Sequence, residues 1–319
     1  MRNKLSLASA LALSTFASAA VAAPRTPPAY TAPMPAYAAP LFDAYFNVAA
    51  GYGWNSFDVA GAPISIDNNG FAVRGRATFE GAITDKLGAQ VDGVLGYDAN
   101  TLTAGGDSID DPTTTATLAS HFFWRDPNVG LIGAIGQYTH QTTRLDESGL
   151  SLDFDGDNYY AGLEGQYFLN NMTLYAQGAY HSKTLGIAGE SIDGDGFTLA
   201  GQARYFVMPD WSIAAKGSYD TINYDVPGSS VTLDESNWSV GLRSDYRLAA
   251  MPVSFFGELT YGENTFKVTG LGSVSITEKD TRAMVGIQYN LGTRTLQERD
   301  RAGGSLDPFD SHFSFPFFL

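Results

Sequence analysis

The sequence predicts an all-β fold, a transmembrane antiparallel up-and-down β-barrel of about 12 strands, with 14 as the alternative count. Three observations predict it: apolar and polar residues alternate in twelve successive runs, the runs are long, and the segments between them are alternately short and long. Each run has about ten to thirteen residues, whereas strands in soluble sandwiches have about 5–6. A strand tilted by about 45° needs about 9–11 residues to cross a bilayer, so the length of the runs favours a membrane barrel.

The twelve runs separate apolar from charged side chains. In the second run Phe71 and Phe79 face one way, while Arg74 and Arg76 face the other. In this register none of the twelve apolar faces carries a charge, as a lipid-facing surface requires. The runs lie at about 44–54, 70–82, 87–97, 115–125, 130–140, 158–168, 172–182, 196–207, 211–220, 237–248, 252–262 and 281–291.

The connecting segments are alternately short and long along the chain. The short ones contain turn-forming or small residues and are 84–86, 126–128, 169–171, 208–210 and 249–251. The long ones carry most of the acidic residues and are about 55–69, 98–114, 141–157, 183–195, 221–236 and 263–280. Membrane barrels with an even strand number have short periplasmic turns and long extracellular loops. We therefore expect both termini in the periplasm.

Six runs carry two aromatic residues eight positions apart on the apolar face. At about 3.3 Å per residue and a tilt of about 40°, the two rings lie about 20 Å apart along the membrane normal. That distance is close to an apolar band of about 25 Å with an aromatic girdle at each interface. The predicted membrane girdle consists of Phe46, Trp54, Phe71, Phe79, Tyr159, Tyr167, Phe197, Tyr205, Trp211, Tyr219, Trp238 and Tyr246.

The chain divides into four expected segments. Residues 1–22 have the charged, apolar and small-residue order of a secretory signal peptide. Residues 23–41 form a Pro/Ala-rich periplasmic linker, because closely spaced prolines favour extended backbone. Residues 42–291 form the barrel, and residues 292–319 form a C-terminal periplasmic tail. The absence of cysteine rules out disulfide scaffolds, thiolate metal sites and a lipoprotein anchor.

The chain resembles the Gram-negative outer-membrane β-barrel proteins of the porin-like family. The resemblance rests on the signal peptide, the Pro/Ala spacer, strand runs such as 71–80 and 238–248, and the closing run 282–291. It implies a location in the cell outer membrane, contact with lipid and lipopolysaccharide at the cell surface, and insertion by the barrel-assembly machinery. Such proteins usually end on an aromatic residue of the closing strand, whereas here about 28 residues follow Leu291.

The inward face of the predicted barrel is charged. A ring of charge inside a barrel sets ion selectivity, so the excess of basic residues predicts a porin for passive diffusion of small hydrophilic solutes and ion transport, with a mild preference for anions. The alternative is a structural or adhesive surface barrel with an occluded lumen that acts through its acidic loops, since small barrels fill their interior with side chains. The predicted pore-lining residues are Arg74, Arg76, Glu80, Asp92, Arg125, Glu164, Arg204, Lys216, Arg243, Asp245, Arg247, Glu258 and Arg282.

Other classes of function are disfavoured. The net charge is −15, from 34 acidic and 19 basic residues, which excludes the basic footprint of a nucleic-acid binder. Catalysis needs a nucleophile and a base within reach of each other; His121 and His181 fall inward, and His140 falls outward with Thr142 two residues further on. We expect no enzymatic activity, no cofactor and no metal site. The solute and the oligomeric state stay open.

Overall fold

The computed structural model describes residues 41–60, 65–147, 150–187, 190–225, 231–270 and 274–310. The expected signal peptide, the spacer up to residue 40 and the last nine residues of the chain lie outside this part. Among the described residues, no helix is both long enough and apolar enough to cross a membrane.

In the part of the chain that the structure describes, twelve antiparallel strands form a closed barrel in which each strand pairs with its neighbours in sequence and β1 pairs with β12. The predicted fold class and strand number are therefore confirmed. The strands are β1 (Phe42–Val59), β2 (Ser65–Ala82), β3 (Leu87–Ala104), β4 (Asp107–Asp126), β5 (Gly130–Glu147), β6 (Leu150–Leu169), β7 (Met172–Ile187), β8 (Glu190–Met208), β9 (Trp211–Asp225), β10 (Thr232–Arg247), β11 (Val253–Thr269) and β12 (Val274–Leu291).

The strands are longer than the sequence predicts, with 15 to 20 residues each. Most of the residues expected in long loops pair as extensions of the strands. For example, residues 141–157 were expected to be a loop, but Thr142 lies opposite Asp155 in the β5–β6 ladder. The expectation is wrong there because both faces of these strand ends are polar, so the apolar period ends while backbone pairing continues.

The barrel is apolar outside and polar inside. Large apolar side chains such as Leu95, Leu163 and Leu199 are 61–69 % exposed on the outer face. Inside, polar groups such as Gln90 and Asp92 are fully buried. This is the reverse of a soluble protein, and it suits a barrel whose outer solvent is lipid.

Candidate functional site: the lumen and the C-terminal segment

The chain does not leave the barrel after β12 but turns back into it. We call residues 292–310 the C-terminal segment. Gly292 has a φ of +101°, and a Cβ there would lie 2.6 Å from Oδ1 of Asp43, so only glycine fits this turn. The Asp43 carboxylate accepts hydrogen bonds from the backbone N–H of Thr293 (3.1 Å) and of Gly304 (2.8 Å). One side chain of β1 therefore binds the backbone of the segment at two points, Thr293 and Gly304.

A short helix, α1 (Leu296–Ala302), follows this turn. Thr295 caps its N-terminus by accepting a hydrogen bond from the N–H of Glu298 (3.0 Å), as N-cap threonines do. The N–H of Gln297 donates to the carbonyl of Pro209 (2.9 Å), and the guanidinium of Arg301 donates to the carbonyl of Asn170 (2.8 Å). Both carbonyls belong to short turns, so α1 lies at the short-turn end of the barrel.

Two glutamines from the barrel wall bind the backbone of the segment beyond α1. Gln90 donates to the carbonyl of Leu306 (2.8 Å) and accepts from its N–H (3.2 Å). Gln137 does the same for Phe309, at 3.0 and 2.7 Å. Each amide side chain therefore satisfies one donor and one acceptor, as a neighbouring strand would. This pairing lets irregular backbone lie inside the barrel.

Apolar contacts complete the packing of the segment. Leu306 is fully buried and packs against Phe123 and Leu131. Phe309 stacks on Tyr160 with ring centroids 5.2 Å apart. Burying a leucine or phenylalanine side chain is worth about 1.5–3 kcal/mol each, so these two residues anchor the segment as far as mid-barrel.

Ion pairs join the segment to the wall. Arg76 donates to Asp307 (2.6 Å), to the carbonyl of Leu306 (2.7 Å) and to Asp92 (2.8 Å). Arg204 donates to Asp300 of α1 at 2.6 Å. Burial alone would raise the pKa of Asp307, but the nearby cations, Arg76 first, hold it below the ordinary value of 3.8. Asp307 therefore stays ionised and attached to the wall at neutral pH.

The predicted pore-lining residues lie on the inner side of the wall, and there they form pairs. Arg74 lies 3.6 Å from Asp310 of the C-terminal segment. They are not an open ring of cations, because carboxylates neutralise most of them. The remaining contacts are Arg125–Glu80 (2.6 Å), Glu164–His121 (2.9 Å), Lys216–Glu258 (3.1 Å), Arg243–Glu258 (3.1 Å), Arg243–Asp245 (2.8 Å), Arg282–Asp98 (3.4 Å) and Arg247 to the carbonyl of Thr293 (2.8 Å).

The predicted girdle residues lie on the outside. Eleven of the twelve are 37–61 % exposed, and Trp211 is half-buried. Their contact with the membrane interfaces stays a prediction.

Beyond the C-terminal segment, on the long-loop side, the described part of the lumen includes a cavity of about 130 Å³ and another of about 100 Å³. Pro308, Phe309 and Asp310 of the segment line both of them. The first is lined by six acidic residues and two arginines, and the second by five acidic residues and two lysines. The cavities are therefore polar and acidic.

Sequence reasoning missed the residues that fill the lumen. Leu306, Asp307 and Phe309 belong to a stretch with no apolar period, and Gln90 and Gln137 look like ordinary inward polar positions. The one available signal was the length of chain after Leu291, which is unusual for a barrel that ends on its closing strand. Nothing in the pattern indicates which wall residues such a tail would meet.

No protein-family model and no curated protein matches this sequence. Among solved structures, the COG4313 outer membrane channel from Pseudomonas putida F1 is similar over 82 % of this chain and 100 % of that chain, with 14 % identity and a TM-score of 0.52. The translocator domain of autotransporter NalP from Neisseria meningitidis (77 % and 88 % covered, 11 % identity, TM-score 0.48) and the transport unit of AIDA-I from Escherichia coli (78 % and 90 %, 11 %, 0.48) also match. The likeness concerns the fold: this chain has the closed β-barrel of outer-membrane proteins.

Proposed function

We propose that this protein is an outer-membrane channel for small hydrophilic solutes, closed at its short-turn end by its own C-terminal segment. One observation carries the proposal: polar cavities occupy the lumen above a segment that is held by side-chain contacts and not by strand pairing. We expect a solute path to open when the segment is removed, because the wall that surrounds the segment is polar. The Pseudomonas putida structure, described as an outer membrane channel, agrees with this proposal. We also propose that the barrel-assembly machinery inserts this protein into the outer membrane.

The charge of the cavities changes the expected selectivity. The inward arginines alone predict a mild preference for anions. Carboxylates outnumber basic residues in the lining of both cavities, and Arg74 and Arg282 each lie beside an aspartate. We therefore propose a preference for cations, since rings of acidic side chains favour cations in a pore.

A second candidate is a closed surface barrel with a structural or adhesive role. The full burial of Leu306 and Arg301 favours it, because a segment packed this tightly closes the lumen durably. The two candidates differ in one property, whether the lumen conducts once the segment is removed.

Conductance in planar bilayers separates them. The test variant ends at Thr293 and lacks the rest of the segment; the matched control lacks only 311–319, which leaves every described contact in place. We expect the Thr293 variant to conduct several-fold more than the full chain, and the control to equal the full chain. Reversal potentials in a potassium chloride gradient should show potassium preferred over chloride. If the Thr293 variant folds into a barrel but stays silent, the channel is excluded and the closed surface barrel is supported.

A further inference from the structure

A chain of polar side chains lies on the outer face of the barrel, where β5 and β6 approach the long-loop side. Tyr138, His140 and Thr142 occupy successive outward positions of β5, and Asp157 and Asp155 lie directly opposite the last two on β6. Residues two apart on a strand share a face, and directly opposed side chains are in reach of each other. We call these five residues the outer polar site.

The distances place a hydroxyl, an imidazole and a carboxylate in sequence. Oγ1 of Thr142 lies 3.3 Å from Nε2 of His140. Nδ1 of His140 lies 2.9 Å from Oδ1 of Asp157. The hydroxyl of Tyr138 donates to the same carboxylate oxygen at 2.6 Å. This is the arrangement that activates a hydroxyl nucleophile: a base within reach, oriented by a third group.

The site is accessible from outside the barrel. The side chains of His140 and Asp157 are 43 % and 37 % exposed. On the other neighbouring strand, Ala116 lies opposite His140, and its small side chain leaves room beside the imidazole. A substrate can therefore approach Thr142 and His140 from the lipid side.

The surroundings indicate the kind of substrate. On the short-turn side of the site, Tyr138 and Tyr159 pack with ring centroids 4.9 Å apart. Leu118, which lies opposite Tyr138 on β4, is 59 % exposed, and Leu163, four positions beyond Tyr159 on β6, is 69 % exposed. On the long-loop side the next outward residue is Arg144, a cation paired with Asp153 at 2.8 Å. An amphiphile would place its acyl chains along the apolar face and its polar, phosphate-bearing head group beside the Arg144–Asp153 pair. The site lies at the boundary between the two.

We propose that the outer polar site hydrolyses acyl esters of phosphate-bearing lipids in the surrounding membrane. Oγ1 of Thr142 attacks the ester carbonyl carbon, and its proton passes to Nε2 of His140. The C–O bond to the alcohol breaks as His140 returns that proton to the leaving oxygen, which leaves an acyl ester on Thr142. Water then attacks this ester with His140 as base, releasing the carboxylic acid and restoring the hydroxyl. Asp157 orients the imidazole and stabilises its protonated form.

Asp155 has a separate part in this site. It accepts a hydrogen bond from Thr142 at 2.9 Å, and the single hydroxyl proton cannot bond to Asp155 and His140 together. The reaction starts when the hydroxyl turns to His140. The variant Asp155→Ala is therefore expected to raise the rate of hydrolysis.

The site is independent of the channel, because it lies on the opposite face of the wall from the C-terminal segment. It departs from the expectation of no enzymatic activity. The sequence already places His140 outward with Thr142 two residues further on. The presence of Asp157 on the next strand could not be known until the register was known.

The test measures fatty-acid release by the refolded full chain in mixed micelles. Three probes are used separately: phosphatidylethanolamine, purified lipopolysaccharide and a p-nitrophenyl acyl ester. The first two share an acyl ester near a phosphate and distinguish a glycerophospholipid from an acylated glycolipid as the source. An acid quench followed by mass spectrometry should show one acyl group on the peptide that contains Thr142.

The variants separate catalysis from folding. Thr142→Val keeps the shape of the side chain without the hydroxyl and should lower hydrolysis at least 100-fold; Thr142→Ser should restore hydrolysis above the valine variant. The matched control is Thr184→Val, which removes a similar outward cross-strand bond, Thr184 to Asp193 at 2.7 Å, and should leave hydrolysis unchanged. The proposal is overturned if the folded full chain releases no acid from any probe, or if Thr142→Val hydrolyses as fast as the full chain.

Discussion

The two halves of the lumen contain the same kinds of residue but differ in what fills them. In the short-turn half, the C-terminal segment occupies the centre, and Arg76 and Arg204 point at its carboxylates. In the long-loop half the centre contains polar cavities, although charged side chains line the wall there as well. The comparison shows that an inward ring of charge does not by itself make an open pore. The lumen is filled where another part of the chain lies along the barrel axis and pairs with the charges of the wall.

The largest expected effect comes from removing the charge that joins wall and segment. Arg76→Ala removes the cation that the fully buried carboxylate of Asp92 shares with the half-buried carboxylate of Asp307. Breaking one side of a buried ion pair costs about 3–5 kcal/mol, so the free energy of unfolding should fall by about that amount. Urea unfolding in detergent, followed by tryptophan fluorescence, measures it. A change below about 1 kcal/mol would show that the short-turn half does not depend on this contact.

An intermediate effect is expected from acid. The pKa of Asp307 lies below its ordinary value of 3.8 when the segment is in place. A lowered pKa stabilises the bound segment above about pH 4 and ceases to do so as the pH falls toward the lowered value. Bilayer conductance of the full chain should therefore rise as the pH is lowered below about 4.

Asp307→Asn provides the comparison for the acid experiment. It removes the charge at every pH, so its conductance should already be higher at neutral pH and should change less with acid. If both proteins respond to acid equally, another carboxylate controls the segment.

The smallest effect is expected on the exposed part of the long-loop half. Lys279 contacts Asp58 at 2.7 Å, with 44 % and 62 % of the two side chains exposed. Exposed pairs contribute about 0–1 kcal/mol, so Lys279→Ala should change the free energy of unfolding by about 0.5 kcal/mol or less. The same urea titration serves, and a loss comparable to that of Arg76→Ala would contradict the contrast between the two halves.

The strands of the barrel wall were predictable from the sequence, but the C-terminal segment that fills part of the lumen was not. The alternation of Phe71 and Phe79 against Arg74 and Arg76 is a local pattern, and local pattern is sufficient to assign a strand and its two faces. The partners of those arginines were not predictable, because Asp307 lies 231 residues away from Arg76 in sequence. The outer polar site was predictable in part. The alternation places His140 and Thr142 outward, but it does not show that Asp157 and Asp155 lie opposite them.

The sequence by itself determined an antiparallel barrel of about twelve strands with an apolar exterior, because period-two alternation, strand length and connection length are properties of neighbouring residues. Only the tertiary structure decided that the C-terminal segment fills one half of the lumen and that Asp157 lies beside His140. These contacts depend on ring closure and on strand register, which bring together residues that are remote in the chain. The physical reason is that a tail without periodicity has no partner until the barrel provides one.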